Sequence, residues 1–256
     1  MDNSSTPTTR LYIVPCMLTI SSLFSGFYAI ISAFNGHFQA AAIAILVAAV
    51  FDALDGRVAR MTGSTSSFGM ELDSLCDMVS FGVAPSLLAY LWALTPYGRY
   101  GWLAGFLYVA TTALRLARFN VQTEENPDGN FTGLPCPAAA GMIATSVLFA
   151  TAVLNKTESV RHISILLMVY LLSYLMISTH RYLSFKHTDV AKEKRFHFMV
   201  GLILLLILLA SEPPITLFIA TFLYILSGPL LGLFGRLRKN KKKTEIIRHI
   251  PPTDLD

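Results

Sequence analysis

Long apolar blocks separated by short polar breaks organise this chain. Eight stretches are long and apolar enough to predict helical spans: residues 11–34, 39–61, 73–94, 101–118, 133–154, 163–183, 196–210 and 214–234. A helix rising about 1.5 Å per residue needs roughly 20 apolar residues to cross about 30 Å of hydrocarbon. Most blocks come near that length, and the seventh is the shortest. The breaks carry turn-forming or polar residues: Asn35-Gly36-His37, Thr62-Gly63-Ser64, Thr95-Pro96-Tyr97-Gly98, residues 124–130, Asn155-Lys156-Thr157, residues 187–195 and Ser211-Glu212-Pro213. Trp92 and Trp102 flank the third break, where an aromatic belt at a membrane interface is expected. Pro135 and Pro137 are expected to break the start of the fifth span, which fits irregular backbone lining a cavity. The apolar stretch after Arg10 outlasts the core of a signal peptide, about 7–15 residues, so it is expected to stay as the first span. The pattern predicts an all-α, polytopic transmembrane bundle with no soluble domain and no repeat.

Composition agrees. Hydrophobic residues make up 54% of the 256 residues and charged ones only 14%, against about 25% charged in an ordinary soluble domain. Twenty basic residues against sixteen acidic ones give +4, too small and too dispersed an excess for a nucleic-acid partner. The distribution of those charges says more. With a cytoplasmic N-terminus, 17 of the 20 Lys and Arg residues fall on the cytoplasmic side, and only Arg99, Lys156 and Arg161 fall on the other. That asymmetry supports an even number of spans, with both termini inside. The basic run Lys239 to Lys243 would anchor the C-terminal tail, with anionic lipid adding about 1 kcal/mol per basic residue. Cys16, Cys76 and Cys136 stand singly in apolar sequence and are expected to pack as small hydrophobes. The six histidines, at 37, 162, 180, 187, 197 and 249, have no metal-ligand spacing and fall near span ends.

The informative charges are four carboxylates in the second and third blocks: Asp52, Asp55, Asp73 and Asp77. Each costs about 2.5–3.5 kcal/mol at the centre of a spanning helix, and four together repel unless cations lie among them. At about 100° per residue, Asp55, Gly56, Ala59 and Arg60 fall on the same face as Asp52, and Gly69, Asp73 and Asp77 form a second aligned row. Facing carboxylates offer the oxygen-rich setting of Mg²⁺, Mn²⁺ or Ca²⁺. Small neighbours leave room for a bulky substrate, and Arg60 can pair with phosphate oxygens. These are the parts of a site for substitution at phosphorus.

The string Asp52-Ala53-Leu54-Asp55-Gly56-Arg57-Val58-Ala59-Arg60, followed after eight residues by Gly69-Met70-Glu71-Leu72-Asp73-Ser74-Leu75-Cys76-Asp77, resembles the signature of the CDP-alcohol phosphatidyltransferases, D-x2-D-G-x2-A-R-x8-G-x3-D-x3-D. All eight fixed positions match without a gap. The resemblance implies that Asp52, Asp55 and Asp73 hold two divalent cations, Mg²⁺ or Mn²⁺, and that Asp77 both touches a metal and serves as general base. It implies that Gly56, Arg60, Ser66 and Gly69 meet CDP-diacylglycerol. It also implies a six-helix core, here residues 11–183, often assembled as a homodimer. A loop at 184–195, two added spans at 196–234 and a basic tail at 235–256 would follow the core, and residues 1–10 would precede it. The first span departs from the family's habit in one respect: Pro15, Thr19 and Gly26 are present, but Cys16 and Ser22 stand where asparagines are common.

The acceptor alcohol is read from two other segments. Ala113-Leu114-Arg115-Leu116-Ala117-Arg118-Phe119-Asn120 and Phe131-Thr132-Gly133-Leu134-Pro135-Cys136-Pro137 resemble those of membrane-embedded phosphatidylserine synthases. This implies L-serine as acceptor, with its carboxylate on the guanidiniums of Arg115 and Arg118 and Asn120 beside them. The expected activity is CDP-diacylglycerol plus L-serine giving phosphatidylserine and CMP. The active site and both termini would lie on the cytoplasmic side of a prokaryotic-type inner membrane. Glycerol 3-phosphate, inositol or inositol phosphate as acceptor, an archaeal ether lipid as donor, and a cation-coupled transporter using the same carboxylates stand as alternatives.

Overall fold

A computed structural model describes residues 10–63, 66–125, 133–154, 162–178 and 211–229. Among them there is no strand, and seven helices follow in order: α1 (Arg10–Phe34), α2 (Phe38–Thr62), α3 (Ser67–Tyr97), α4 (Arg99–Glu125), α5 (Cys136–Leu154), α6 (Ile163–Ile177) and α7 (Pro213–Pro229). Stretches within α1, α2, α3 and α5 are each long and apolar enough to cross a membrane. The protein is a multi-pass helical membrane protein. The expected seventh span, the loop before it and the basic tail lie outside the described residues.

On α1 small residues are inside and large ones outside. Along α1, Ser22, Ser25, Gly26, Ala29, Ser32 and Ala33 are buried at helical spacing, against a seam of Ala41, Ala44, Ile45 and Ala48 on α2. Phe24, Phe27, Tyr28, Ile31 and Phe34 of the same helix point outward. This inversion is physical: lipid tails are as apolar as leucine, so helices associate through close van der Waals packing and buried hydrogen bonds rather than by hiding hydrophobes from water. Ser22 shows both terms at once. Its hydroxyl donates to the Ala48 carbonyl of α2 at 3.0 Å, and its own carbonyl accepts from Ser80 of α3 at 3.1 Å.

Where α1 meets α3 the approach is tight at Gly26, whose added Cβ would lie 2.7 Å from the Ser80 Cα. A backbone atom cannot swing aside, so Gly26→Ala is expected to cost about 1–3 kcal/mol. The measurement is thermal unfolding in detergent; an unchanged midpoint would mean that α1 and α3 separate without penalty.

Helix α3 is not regular. Residues Met78–Val83 and Tyr90–Leu94 are wound as π-turns, and Thr95–Tyr97 closes as a 3₁₀ turn. A π-turn disturbs the ladder of main-chain hydrogen bonds, and the Phe81 carbonyl receives the hydroxyl of fully buried Tyr108 at 3.2 Å. The second π-turn corrects an expectation: Trp92 is 2% exposed, a core residue rather than part of an interfacial belt, while Trp102 on α4 is exposed.

Several boundaries also move. Helix α3 begins at Ser67 rather than residue 73, and α4 runs to Glu125, so Asn120 lies within a helix. The break at the two prolines is as expected, with residues 133–135 irregular and α5 starting at Cys136. Gly133 takes a φ of +89°, where an L side chain is strained, and the Leu134 N–H donates to the Leu175 carbonyl at 3.0 Å. The irregular backbone thus satisfies the C-terminal end of α6, which stops at Ile177. The described cysteines are free, with Cys76 and Cys136 buried and Cys16 partly so.

Candidate active site

The four aspartates meet because α2 and α3 form a hairpin. Helix α2 ends on Gly63 in the left-handed region, φ +61°, whose N–H reaches back to the Ala59 carbonyl. Ser66 then caps α3, its hydroxyl accepting from the Gly69 N–H at 3.0 Å. The chain reverses within a few residues, so the last turns of α2 face the first turns of α3. A side chain on Gly69 would lie 3.2 Å from that Ser66 oxygen, so the glycine allows the cap to close tightly.

Ligand oxygens of Asp52, Asp55 and Asp73 lie within 4.8 Å of one another. The Asp77 carboxyl lies beside that of Asp52. Asp55 is 5% exposed, with Thr19 of α1 and the Gly56 N–H at its carboxyl, yet its Oδ2 is buried without a hydrogen-bond partner. An orphaned buried oxygen amid three more carboxylates fits a hard divalent cation. The Arg60 guanidinium lies over Gly56, its two terminal nitrogens 3.9 Å from where a Cβ would be. At that distance a methyl group would make only ordinary van der Waals contact with the guanidinium.

Helix α4 supplies the other half. Arg115 Nη1 donates to the Cys136 thiol at 3.3 Å, a weak acceptor for a guanidinium, and its Nε is buried with no acceptor. Arg115 and Arg118 line a cavity of about 290 Å³ closed by Met176 and Ile177 of α6. Asn120 faces elsewhere: its Nδ2 donates to Ser74 Oγ at 3.0 Å, and with Asp73 and Asp77 it lines a cleft of about 70 Å³. The three residues grouped by sequence are therefore divided between two neighbouring cavities that share Phe119 as a wall. Cys136, at the start of α5, holds Arg115 from a helix other than its own.

Ser74 is a member of this region that residue patterns did not single out, although it sits between the two signature aspartates of α3 and could have been found from that position. Thr19 and Cys136 are read from the sequence without a place at the site, and helices distant in sequence bring them in.

Residues 12–173 match the family model described as CDP-alcohol phosphatidyltransferase. The chain is similar to a CDP-diacylglycerol–serine O-phosphatidyltransferase of Helicobacter pylori (strain ATCC 700392 / 26695), 36% identical over 231 residues that make up 89% of this chain and 94% of the relative. A protein of the same name from Bacillus subtilis (strain 168) is 36% identical over 175 residues, 68% of this chain and 91% of its own length. An archaetidylserine synthase of Methanothermobacter thermautotrophicus is 39% identical over 176 residues, 68% of this chain and 71% of the relative.

Proposed function

The chain belongs to the CDP-alcohol phosphatidyltransferase family, and from that premise we propose that it transfers the phosphatidyl group of CDP-diacylglycerol to L-serine, giving phosphatidylserine and CMP. Membership in a transferase family displaces the transporter alternative. Serine is the element shared by the names of the bacterial and archaeal relatives. The observation that carries the acceptor in this chain is Arg115, whose buried Nε lacks an acceptor and whose Nη1 has only a thiol. A guanidinium so placed is suited to an anionic group, which serine supplies as its carboxylate and free inositol lacks. The cleft beside Asp77 is also small, about 70 Å³, which favours a small acceptor over a ring of six carbons.

The residues divide the work as follows. Asp52, Asp55 and Asp73 would hold two divalent cations, Mg²⁺ or Mn²⁺, with Asp77 at their edge. Such ions, when bound, offset charge on the phosphate oxygens and favour in-line displacement. Arg60, over Gly56, pairs with the diphosphate of the donor lipid, and Gly56 and Gly69 leave space for it. Ser66, whose hydroxyl caps α3, lies at the rim of the same hairpin. Arg115 and Arg118 hold the serine carboxylate, and Asn120 with Ser74 borders the cleft that admits the hydroxyl. Asp77 takes the hydroxyl proton as the serine oxygen bonds to the lipid-bearing phosphorus, and the bond from that phosphorus to the CMP oxygen breaks.

The split of 17 basic residues against 3 supports a cytoplasmic active site with both termini on the same side of an inner membrane. The resemblance implies a homodimer. The test is purified protein with CDP-diacylglycerol and Mn²⁺ or Mg²⁺, offered L-serine, glycerol 3-phosphate and inositol in parallel, with CMP measured. CMP from serine alone is the expected result; release with glycerol 3-phosphate or inositol and not with serine would overturn the acceptor assignment.

A further inference from the structure

The reaction proposed above gives no role to residues 133–136, the irregular stretch that leads into α5 and its first residue. Three sets of contacts fix that stretch. Gly133, at φ +89°, lies so close to the end of α6 that an added Cβ would be 2.5 Å from the Met176 carbonyl oxygen. The Leu134 N–H donates to the Leu175 carbonyl at 3.0 Å, and Leu134 is fully buried. The Pro135 carbonyl accepts from the N–H groups of Ala138 and Ala139, both at 3.1 Å, which starts α5. Cys136, also fully buried, is therefore held by α6 on one side and by its own helix on the other.

The thiol of Cys136 connects this strap to Arg115. Arg115 Nη1 donates to Sγ at 3.3 Å, while its Nε is buried with no acceptor. The same arginine lines the cavity of about 290 Å³, and Met176 and Ile177 at the end of α6 form another wall of it. One short strap thus fastens two walls of the cavity, α6 through the main chain and Arg115 through a side chain. An arginine side chain has several rotatable bonds and must be restricted before it presents a fixed fork to a carboxylate. A carboxylate partner would restrict it but would also neutralise the charge that the acceptor needs. An uncharged thiol is a weak acceptor, so it holds the guanidinium without cancelling its charge.

We infer that Cys136 is a positioning residue for the acceptor: its Sγ fixes the Arg115 guanidinium against the wall built by α6, and so sets the affinity for the acceptor carboxylate with no part in the phosphorus chemistry. The inference rests on the serine assignment above. It gives the segment around Pro135 and Pro137 a task, because the irregular backbone there is what aims the thiol.

Full-length protein with saturating divalent cation and CDP-diacylglycerol is titrated with L-serine. Cys136→Ala removes the acceptor, and Cys136→Val removes it while keeping the bulk. In both, the KM for serine is expected to rise about three- to tenfold, the effect of one hydrogen bond, with kcat and the KM for CDP-diacylglycerol unchanged. Cys136→Ser restores an acceptor and is expected to keep the serine KM within about twofold of wild type. In an Arg115→Met background, Cys136→Ala should add little, because both act on one interaction. An unchanged serine KM in the Ala and Val variants would overturn the role of Cys136. So would a Ser variant as impaired as Ala, a loss additive with Arg115→Met, or a parallel change in the KM of both substrates. If wild-type protein releases CMP only with another acceptor, the serine assignment fails separately, and the same KM split is read with that acceptor.

Discussion

Asp77→Ala is expected to reduce CMP release at least about a thousandfold, within the range that a positioned general base contributes, while CDP-diacylglycerol still binds. The structure gives Asp77 a position that Asp52 and Asp55 do not share. Its carboxyl lies beside that of Asp52, which ties it to the metal-binding group, and it also lines the small cleft with Ser74 and Asn120. A base must reach both the reacting hydroxyl and the phosphorus, and that junction is where a carboxylate can do so. Asp77→Asn is the sharper variant, because it keeps the shape and loses the capacity to accept the proton. Binding is measured with the donor lipid alone and turnover by CMP. Full activity in Asp77→Ala would remove the base assignment.

The second large effect is expected at Asp55, with opposite signs for activity and stability. Ligand oxygens of three aspartates lie within 4.8 Å, and at an effective dielectric of about 20 a pair of ionised groups at such a separation repels by roughly 3 kcal/mol. Asp55 is the most buried of the four, and its Oδ2 has no partner. Asp55→Asn removes the charge and keeps the volume, so the metal-free variant is expected to unfold at a higher temperature than metal-free wild type. The same change removes an anionic ligand. Activity is expected to fall about a hundredfold or more, since loss of merely an outer-shell partner costs about 10–100-fold, with a higher half-saturating Mg²⁺ or Mn²⁺ concentration. Chelation should abolish wild-type activity and either ion should restore it. Wild-type metal dependence in Asp55→Asn would show that its carboxylate holds no cation.

The trade between stability and activity explains why the site could be read early. Four carboxylates in two apolar blocks are unfavourable for a membrane helix, and their spacing alone puts them on aligned faces. The α2 and α3 rows, with Gly56 beneath Arg60 and Gly69 beneath Ser66, follow from helical geometry and a short break at Gly63. The acceptor half was less legible. Arg115, Arg118 and Asn120 are close in sequence, yet five residues of helix turn through more than one full turn, and Arg115 and Asn120 enter different cavities. Trp92 misled because a place beside a break does not say which way a side chain faces; it is buried within the π-wound stretch Tyr90–Leu94.

By itself the sequence determined that this is an all-helical membrane protein, that two of its spans carry an aligned set of aspartates, and which family that set resembles. Those features depend on length, hydropathy and spacing within one helix, all of which are local. Only the tertiary structure decided which helices share a wall of the site. Thr19 of α1 lies beside Asp55, and Cys136 holds Arg115 from the start of α5. Those contacts arise because small residues let helix backbones pack closely, and a periodic stripe of small residues marks a packing face without saying which helix it will meet.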